Sequence, residues 1–138
     1  MKTTYTFGKR VRGTPAELRA AVEDALKAEG FGIITEIDLA AALKSKIGIE
    51  HAPYLILGAC NPQLSYRAVE IDASVGALLP CNVILRADGA STIIEAIDPV
   101  AAMQIAASPR LLVVAKEARD RLVRAVRSVR DQAVVPAT

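Results

Sequence analysis

Apolar positions change period abruptly at Gly30. Before it, Leu18, Ala21, Val22, Ala25 and Leu26 recur at the spacing of one helical face. That stretch opens with Thr14-Pro15-Ala16-Glu17, a capping box with proline at the first helical position, where its missing N–H costs nothing. Gly30 suits the left-handed backbone that ends a helix. After it, Phe31, Ile33, Thr35, Ile37 and Leu39 alternate with Gly32, Ile34, Glu36 and Asp38, the period of a half-buried strand. A short helix over 40–46 is predicted to close at Gly48. Pro53 leads into an Ile- and Leu-rich strand that ends at Cys60. Asn61 is a good N-cap and Pro62 a good first residue, which predicts a helix over 63–72. A loop over 73–80 returns to a strand over 81–86. Asp88-Gly89 signals a tight turn, and 92–97 completes a hairpin. Asp98-Pro99 and Ser108-Pro109 each start a helical section, the second running on as the long closing helix over 111–129.

The order is therefore strand, helix, four more strands with a helical insert, then helix. This predicts an α+β fold, a largely antiparallel sheet of about five strands with long helices packed on one face. No repeat, low-complexity tract or linker divides the chain. A single domain is expected over 1–130, with a frayed tail over 131–138. In a sequential meander the strand ending at Cys60 and the strand beginning at Cys81 meet at one edge of the sheet, and the hairpin returns Asp98 to the same edge. If those two strands are neighbours, the thiols fall within reach of each other.

With Asp88-Gly89 as the central turn residues, Val83 faces Ile94 and Cys81 faces Ala96 on one side of the hairpin. The other side sets Ile84 against Ile93 and Asn82 against Glu95. Both sides are partly apolar, which a sheet covered on one face does not need. The second face is then covered by the 63–80 insert or by a second subunit.

Composition narrows the function classes. The 138 residues are 52% hydrophobic and 4% aromatic, enough for a core built mainly of Ala, Ile, Leu and Val. Two cysteines are no disulfide framework. The segment MKTTYTFGKRVRG has no continuous apolar stretch of the signal-peptide kind, and Glu95, Asp98 and Pro99 interrupt the longest apolar run. The expectation is a cytoplasmic protein with free thiols and no membrane span. The net charge of +2 is unevenly spread, since 110–130 carries seven basic and two acidic residues, or +5, against −3 elsewhere. A solvated helix face explains this better than a nucleic-acid surface, because no aromatic residue is interleaved and no reader motif is present.

Candidate chemistry concentrates at two identical steps, Cys60-Asn61 and Cys81-Asn82, each at a boundary between an apolar strand-like run and a loop or helix. Cys60 precedes a predicted helix N-terminus, a position that favours thiolate, and Cys81 would serve as its resolving thiol. Asn61 and Asn82 offer donors to a sulfur anion or an oxyanion. The competing reading is two small buried hydrophobes, the commoner fate of free cysteine and the better account of Cys81, which points with Val83 and Leu85. Metal binding is not expected: no C-x-x-C or H-x-x-x-H spacing occurs, and only His51, Glu36 and Asp98 stand available. His51 enters the third strand from the end far from the cysteines, which argues against a cysteine–histidine arrangement. Glu36 and Asp38 share the polar face of their strand, with Glu95 expected on the same side, and exposed strand acids are the simplest account of them. The glycines form no phosphate-binding pattern, and no cofactor is indicated.

The segment ILGACNP, followed by an amphipathic stretch and GALLPCNV, resembles the bacterial and archaeal family called domain of unknown function 302. Thr35-Glu36-Ile37-Asp38, the Leu43-Lys44-x-Lys46-x-Gly48 helix end and the Glu95-Ala96-Ile97-Asp98-Pro99 corner are similar too, so the likeness spans the chain to about Arg127. The resemblance implies a TATA-binding-protein-like fold in single copy, usually homodimeric, and implies no activity. The reading at this point is a homodimeric domain that binds a small ligand or a partner at a sheet edge bounded by Cys60, Asn61, Cys81, Asn82 and Asp98. A thiol-dependent redox or sulfur-transfer step using Cys60 and Cys81 is the enzyme alternative. The third reading is an interaction role for the sheet face or the basic last helix.

Overall fold

Local signals fix the element ends. In the computed structural model, which describes residues 1–132, Thr14 caps α1 (Pro15–Ala28) with the full reciprocal box: Glu17 N–H donates to Thr14 Oγ1 and Thr14 N–H donates to Glu17 Oε1, both at 3.1 Å. Gly30, at φ +85°, lets the chain turn from α1 into β2 (Gly32–Asp38). Asp38 caps α2 (Leu39–Ile47), which closes at a left-handed Gly48. The strand β3 (Tyr54–Cys60) runs through Asn61 into α3 (Pro62–Ile71), and a 3-10 segment (Ala73–Leu78) leads to β4 (Cys81–Asp88). After β5 (Ser91–Ile97), Asp98 caps the short α4 (Pro99–Met103) and Ser108 caps α5 (Pro109–Ser128). The chain begins its sheet with β1 (Thr6–Arg12). The predicted frayed tail begins at Asp131; positions 133–138 lie outside the described residues.

All five strands pair antiparallel in the order β1-β5-β4-β3-β2. The α+β architecture with helices on one face is thus the one expected from the element order. The amphipathic α1 and α5 bury Leu18, Val22, Leu26, Leu111, Leu122 and Val126 against Val11, Leu57, Val83, Leu85, Ile94 and Ala96 of the sheet. The 63–80 insert joins this same layer: Leu64, Ala68 and Val75 are buried in the common core.

Two register expectations need correction. The hairpin turns on Gly89-Ala90, since Asp88 pairs with Ser91, so Val83 faces Ala96, Leu85 faces Ile94 and Ile84 faces Glu95. Gly89 supplies the positive φ of +61°. The shift moves each partner by two residues, an even number, so every side chain keeps its predicted face. In β2 the alternation fails at a bulge between Ile33 and Thr35 that leaves Ile34 exposed. Ile33 pairs with Ala59 and Glu36 with Leu57 on the helix-covered face, while Thr35 and Ile37 turn to the other. Glu36 therefore meets α1, where Arg19 grips it at 2.6 Å and Glu23 at 2.8 Å. Glu95 is on the opposite face, so the three strand acids do not share one side.

Among the described residues, α1, α3 and α5 all pack on the other side of the sheet and leave this second face open. Ile37, Ile56 and Ile84 line up across β2, β3 and β4 and continue to Glu95 and Gly8. Glu95 is only 7% exposed, because it lies over Gly8 while accepting from Arg86 Nε at 2.7 Å and Thr6 Oγ1 at 3.2 Å. Gly58 is closed over in the same way by Thr35 Oγ1 and, at 2.8 Å from where a Cβ would sit, Pro80 Cγ. Along the outer side of β1, Thr3 N–H donates to Thr6 O and Gly8 N–H to Met1 O, each at 3.0 Å. Gln132 N–H and the Asp131 carboxylate satisfy the backbone of Arg12, each at 2.8 Å.

Candidate functional site

The two cysteine strands are neighbours at one end of the sheet, as a meander requires. The residue opposite Cys81 is Ala59, however, and Cys60 lies one position further, opposite Gly32 of β2. Successive strand side chains leave on opposite faces, so Cys81 enters the helix-covered core and Cys60 does not. The thiols are free and do not form a pair. Cys60 Sγ instead lies 3.3 Å from Ser65 Oγ in the first turns of α3. Asn82 is exposed on the open face beside Gly58. The expected cluster is thereby divided: Asn61 and Cys81 face the core, Cys60 turns to Ser65 at the start of α3, and Asn82 lies on the open face.

Asn61 and Cys81 meet at an apolar cavity between the sheet and the helices α3, α4 and α5. Phe31, Leu64, Ala68, Met103, Leu111 and Ala115 form most of its wall. Its volume is about 30 Å³. Asn61 is 7% exposed and has a double duty: its Oδ1 accepts from Leu64 N–H at 3.2 Å, capping α3, while its Nδ2 lies over Gly30. Asp98 reaches this region through the backbone, since its carboxylate accepts from Val100 N–H at 2.9 Å and so orients α4, whose Pro99 and Met103 line the cavity. Asp98 Oδ2 also lies 3.3 Å from Arg119 Nε. The wall residues at helical spacing read in the sequence as ordinary core, and no signal in the sequence separates the two.

Burial pushes the Cys81 thiol up from 9.0 to about 11. At neutral pH this leaves about a hundredfold less thiolate than at an unshifted thiol, so Cys81 is a poor nucleophile in the folded chain. The folded state also holds that proton more tightly than the unfolded state does. The resulting stabilisation is complete below pH 9.0 and is lost as pH rises through about 11. Two pKa units correspond to about 2–3 kcal/mol. Urea midpoints measured from pH 8 to pH 11 are expected to fall further in the native sequence than in Cys81→Ala; equal slopes would refute the assignment.

No group of three or more His, Cys, Asp or Glu side chains with metal-binding geometry occurs among the described residues. His51 is at the far end of β3, its Nδ1 2.7 Å from Ala52 O and its ring edge-on to Tyr54. No helix among the described residues is long and apolar enough to cross a membrane.

A crystal structure of an uncharacterized conserved DUF302 protein from Bacillus stearothermophilus is similar over 93% of this chain and 100% of its own, with 26% sequence identity and a TM-score of 0.87. No curated protein matches significantly. The family model described as "Domain of unknown function DUF302" matches residues 7–129, the span from the second residue of β1 to the C-cap of α5, and the chain belongs to that family.

Proposed function

We propose that this chain is a small cytoplasmic binding domain that takes a small apolar ligand, or the aliphatic end of a larger one, into the cavity beside Asn61 and Cys81. The observation that carries this reading is the cavity itself, an unfilled apolar space whose rim holds one buried amide, one protonated thiol and the Asp98-capped helix α4. Small-molecule sites have this composition, mostly apolar walls with few oriented polar groups. A volume of about 30 Å³ accommodates one or two water-sized groups and excludes a ring unless α3 or α4 shifts. A titration with ethanol, propanol and butanol tests it, read on the methyl resonances of Leu64, Leu111 and Val114. Saturable shifts confined to those methyls support the reading; linear shifts spread over the whole protein would end it.

A thiol-dependent redox or sulfur-transfer function has less support, because Cys81 is held protonated and Cys60 contacts Ser65 rather than Cys81. Rapid alkylation of Cys60 with ready formation of a Cys60–Cys81 bridge would revive it. An interaction role through Arg121 and Arg124 is also weakened, since Glu117 and Glu29 already pair with them at 3.4 Å and 3.0 Å. The same pairing tells against a nucleic-acid surface on α5.

One observation favours self-association. The Ile37–Ile56–Ile84 row lies on the face opposite the helix-packed core, with Ile37 49% exposed. A homodimer joined through this face would bury the row. Sedimentation equilibrium should then find a dimer for the native sequence and a folded monomer for Ile84→Glu. A native monomer, or a variant that stays dimeric, would rule this face out.

A further inference from the structure

The helix-covered side holds a second concavity, unlike the first in every chemical respect. It lies between β1 and α5 and has a volume of about 310 Å³, within the range of small-molecule sites. Lys2, Lys9, Arg119 and Arg127 line it together with Phe7 and Val123, and no carboxylate does.

The four cations are not equally engaged. Lys9 Nζ donates to the carbonyls of Arg127 and Val129, the last turn of α5, where a cation is favoured by the helix dipole. Arg119 is engaged through its Nε, which lies 3.3 Å from Asp98 Oδ2. Arg127 is exposed at the end of α5, and no side-chain hydrogen bond of Arg127 or Lys2 occurs among the described residues. Positive groups therefore converge on a cleft whose remaining wall is apolar.

We propose that this cleft binds a small amphipathic anion, a phosphate or carboxylate head on an apolar body. Arg127 and Lys2 take the head, Arg119 and Lys9 add positive charge from positions already held by partners of their own, and Phe7 and Val123 take the body. Arginine suits the role because its planar fork presents paired donors to an oxyanion. The apolar wall sets the cleft apart from a plain basic surface, and Asp98, paired to Arg119, is the one acid that meets its four cations.

Benzyl phosphate, benzyl alcohol and inorganic phosphate are the probes, followed on the amide resonances of Phe7, Lys9, Val123 and Arg127. Saturable binding of benzyl phosphate, tighter than that of either fragment, is the expected result. Arg127→Ala should weaken it about tenfold, the effect of losing one charge-assisted hydrogen bond. Lys116→Ala removes an exposed cation of the same helix outside the cleft and should leave affinity unchanged; both variants should keep the native urea midpoint. Benzyl alcohol binding as tightly as the phosphate would overturn the proposal, as would equal loss in the two variants or no saturable shift at the cleft. The alcohol titration of the other cavity reads different resonances, so either site can fail without the other.

Discussion

Gly8→Ala is expected to destabilise the fold by about 3 kcal/mol, the upper part of the range for overpacked sites. Gly8 faces Glu95 across the β1–β5 ladder. An added methyl would collide with the Ile94 carbonyl oxygen and sit 2.8 Å from Glu95 Cγ. The carbonyl belongs to a strand paired on both sides and moves only if the sheet distorts. Glu95 can rotate away, but its carboxylate then leaves Arg86 and Thr6 while remaining in a nearly closed position, and a buried acid without its partners is costly. Gly32→Ala is the control, because nothing lies within 4 Å of a Cβ there. Chemical denaturation of the three proteins decides it. A Gly8→Ala midpoint equal to that of Gly32→Ala would show that the Glu95 arrangement is not rigid.

Leu111→Ala should cost a similar amount, about 3 kcal/mol, and should also change what the protein binds. Leu111 is 0% exposed and forms part of the cavity wall. Truncation removes its contacts with the core, and the space vacated joins the existing 30 Å³. The enlarged cavity is dry and apolar, the kind that takes small hydrocarbons. Toluene should therefore raise the melting temperature of Leu111→Ala and leave the native protein unmoved, since a ligand that binds only the folded state stabilises it by mass action. Val113→Ala, on the exposed side of the same helix, should lose little stability and gain no toluene response. If toluene shifts none of the three, the space beside Asn61 and Cys81 closes up when emptied and is not a ligand site.

Both tests rest on features that differ in how they are written in the chain. The capping box at Thr14-Glu17, the Asn61-Pro62 helix start and Gly48 were legible because each is decided by a few adjacent residues. The neighbouring placement of the cysteine strands was legible too, because a meander leaves little choice. What failed was register. Moving the hairpin turn from Asp88-Gly89 to Gly89-Ala90 changed every cross-strand partner, and the bulge at Ile34 returned Glu36 to the helix side, where Arg19 waits on α1. Neither has a local signature, since both are settled by contacts across the sheet. The split between Cys60 and Cys81 follows from the same cause: a one-residue offset is invisible in spacing and decisive in space. The basic cleft was hidden differently. Lys2, Phe7 and Lys9 stand far in sequence from Arg119, Val123 and Arg127, and only the packing of β1 against α5 brings them together.

The borders of the sheet carry a consequence for how this protein behaves in concentrated solution. Along β1, backbone groups of alternate residues point outward, and those of Thr6, Gly8 and Arg12 are already bonded within the chain, leaving Arg10 as the open position. The other border, β2, is interrupted by its bulge at Ile34. An incoming strand needs a run of free donors and acceptors in even register; among the described residues β1 offers none, and β2 offers only the short stretch beyond its bulge. Runaway edge-to-edge stacking of the fibrillar kind is thereby disfavoured in the native state, despite a chain rich in Ile and Val. Association of the folded protein through side chains is thereby favoured over association through shared strands.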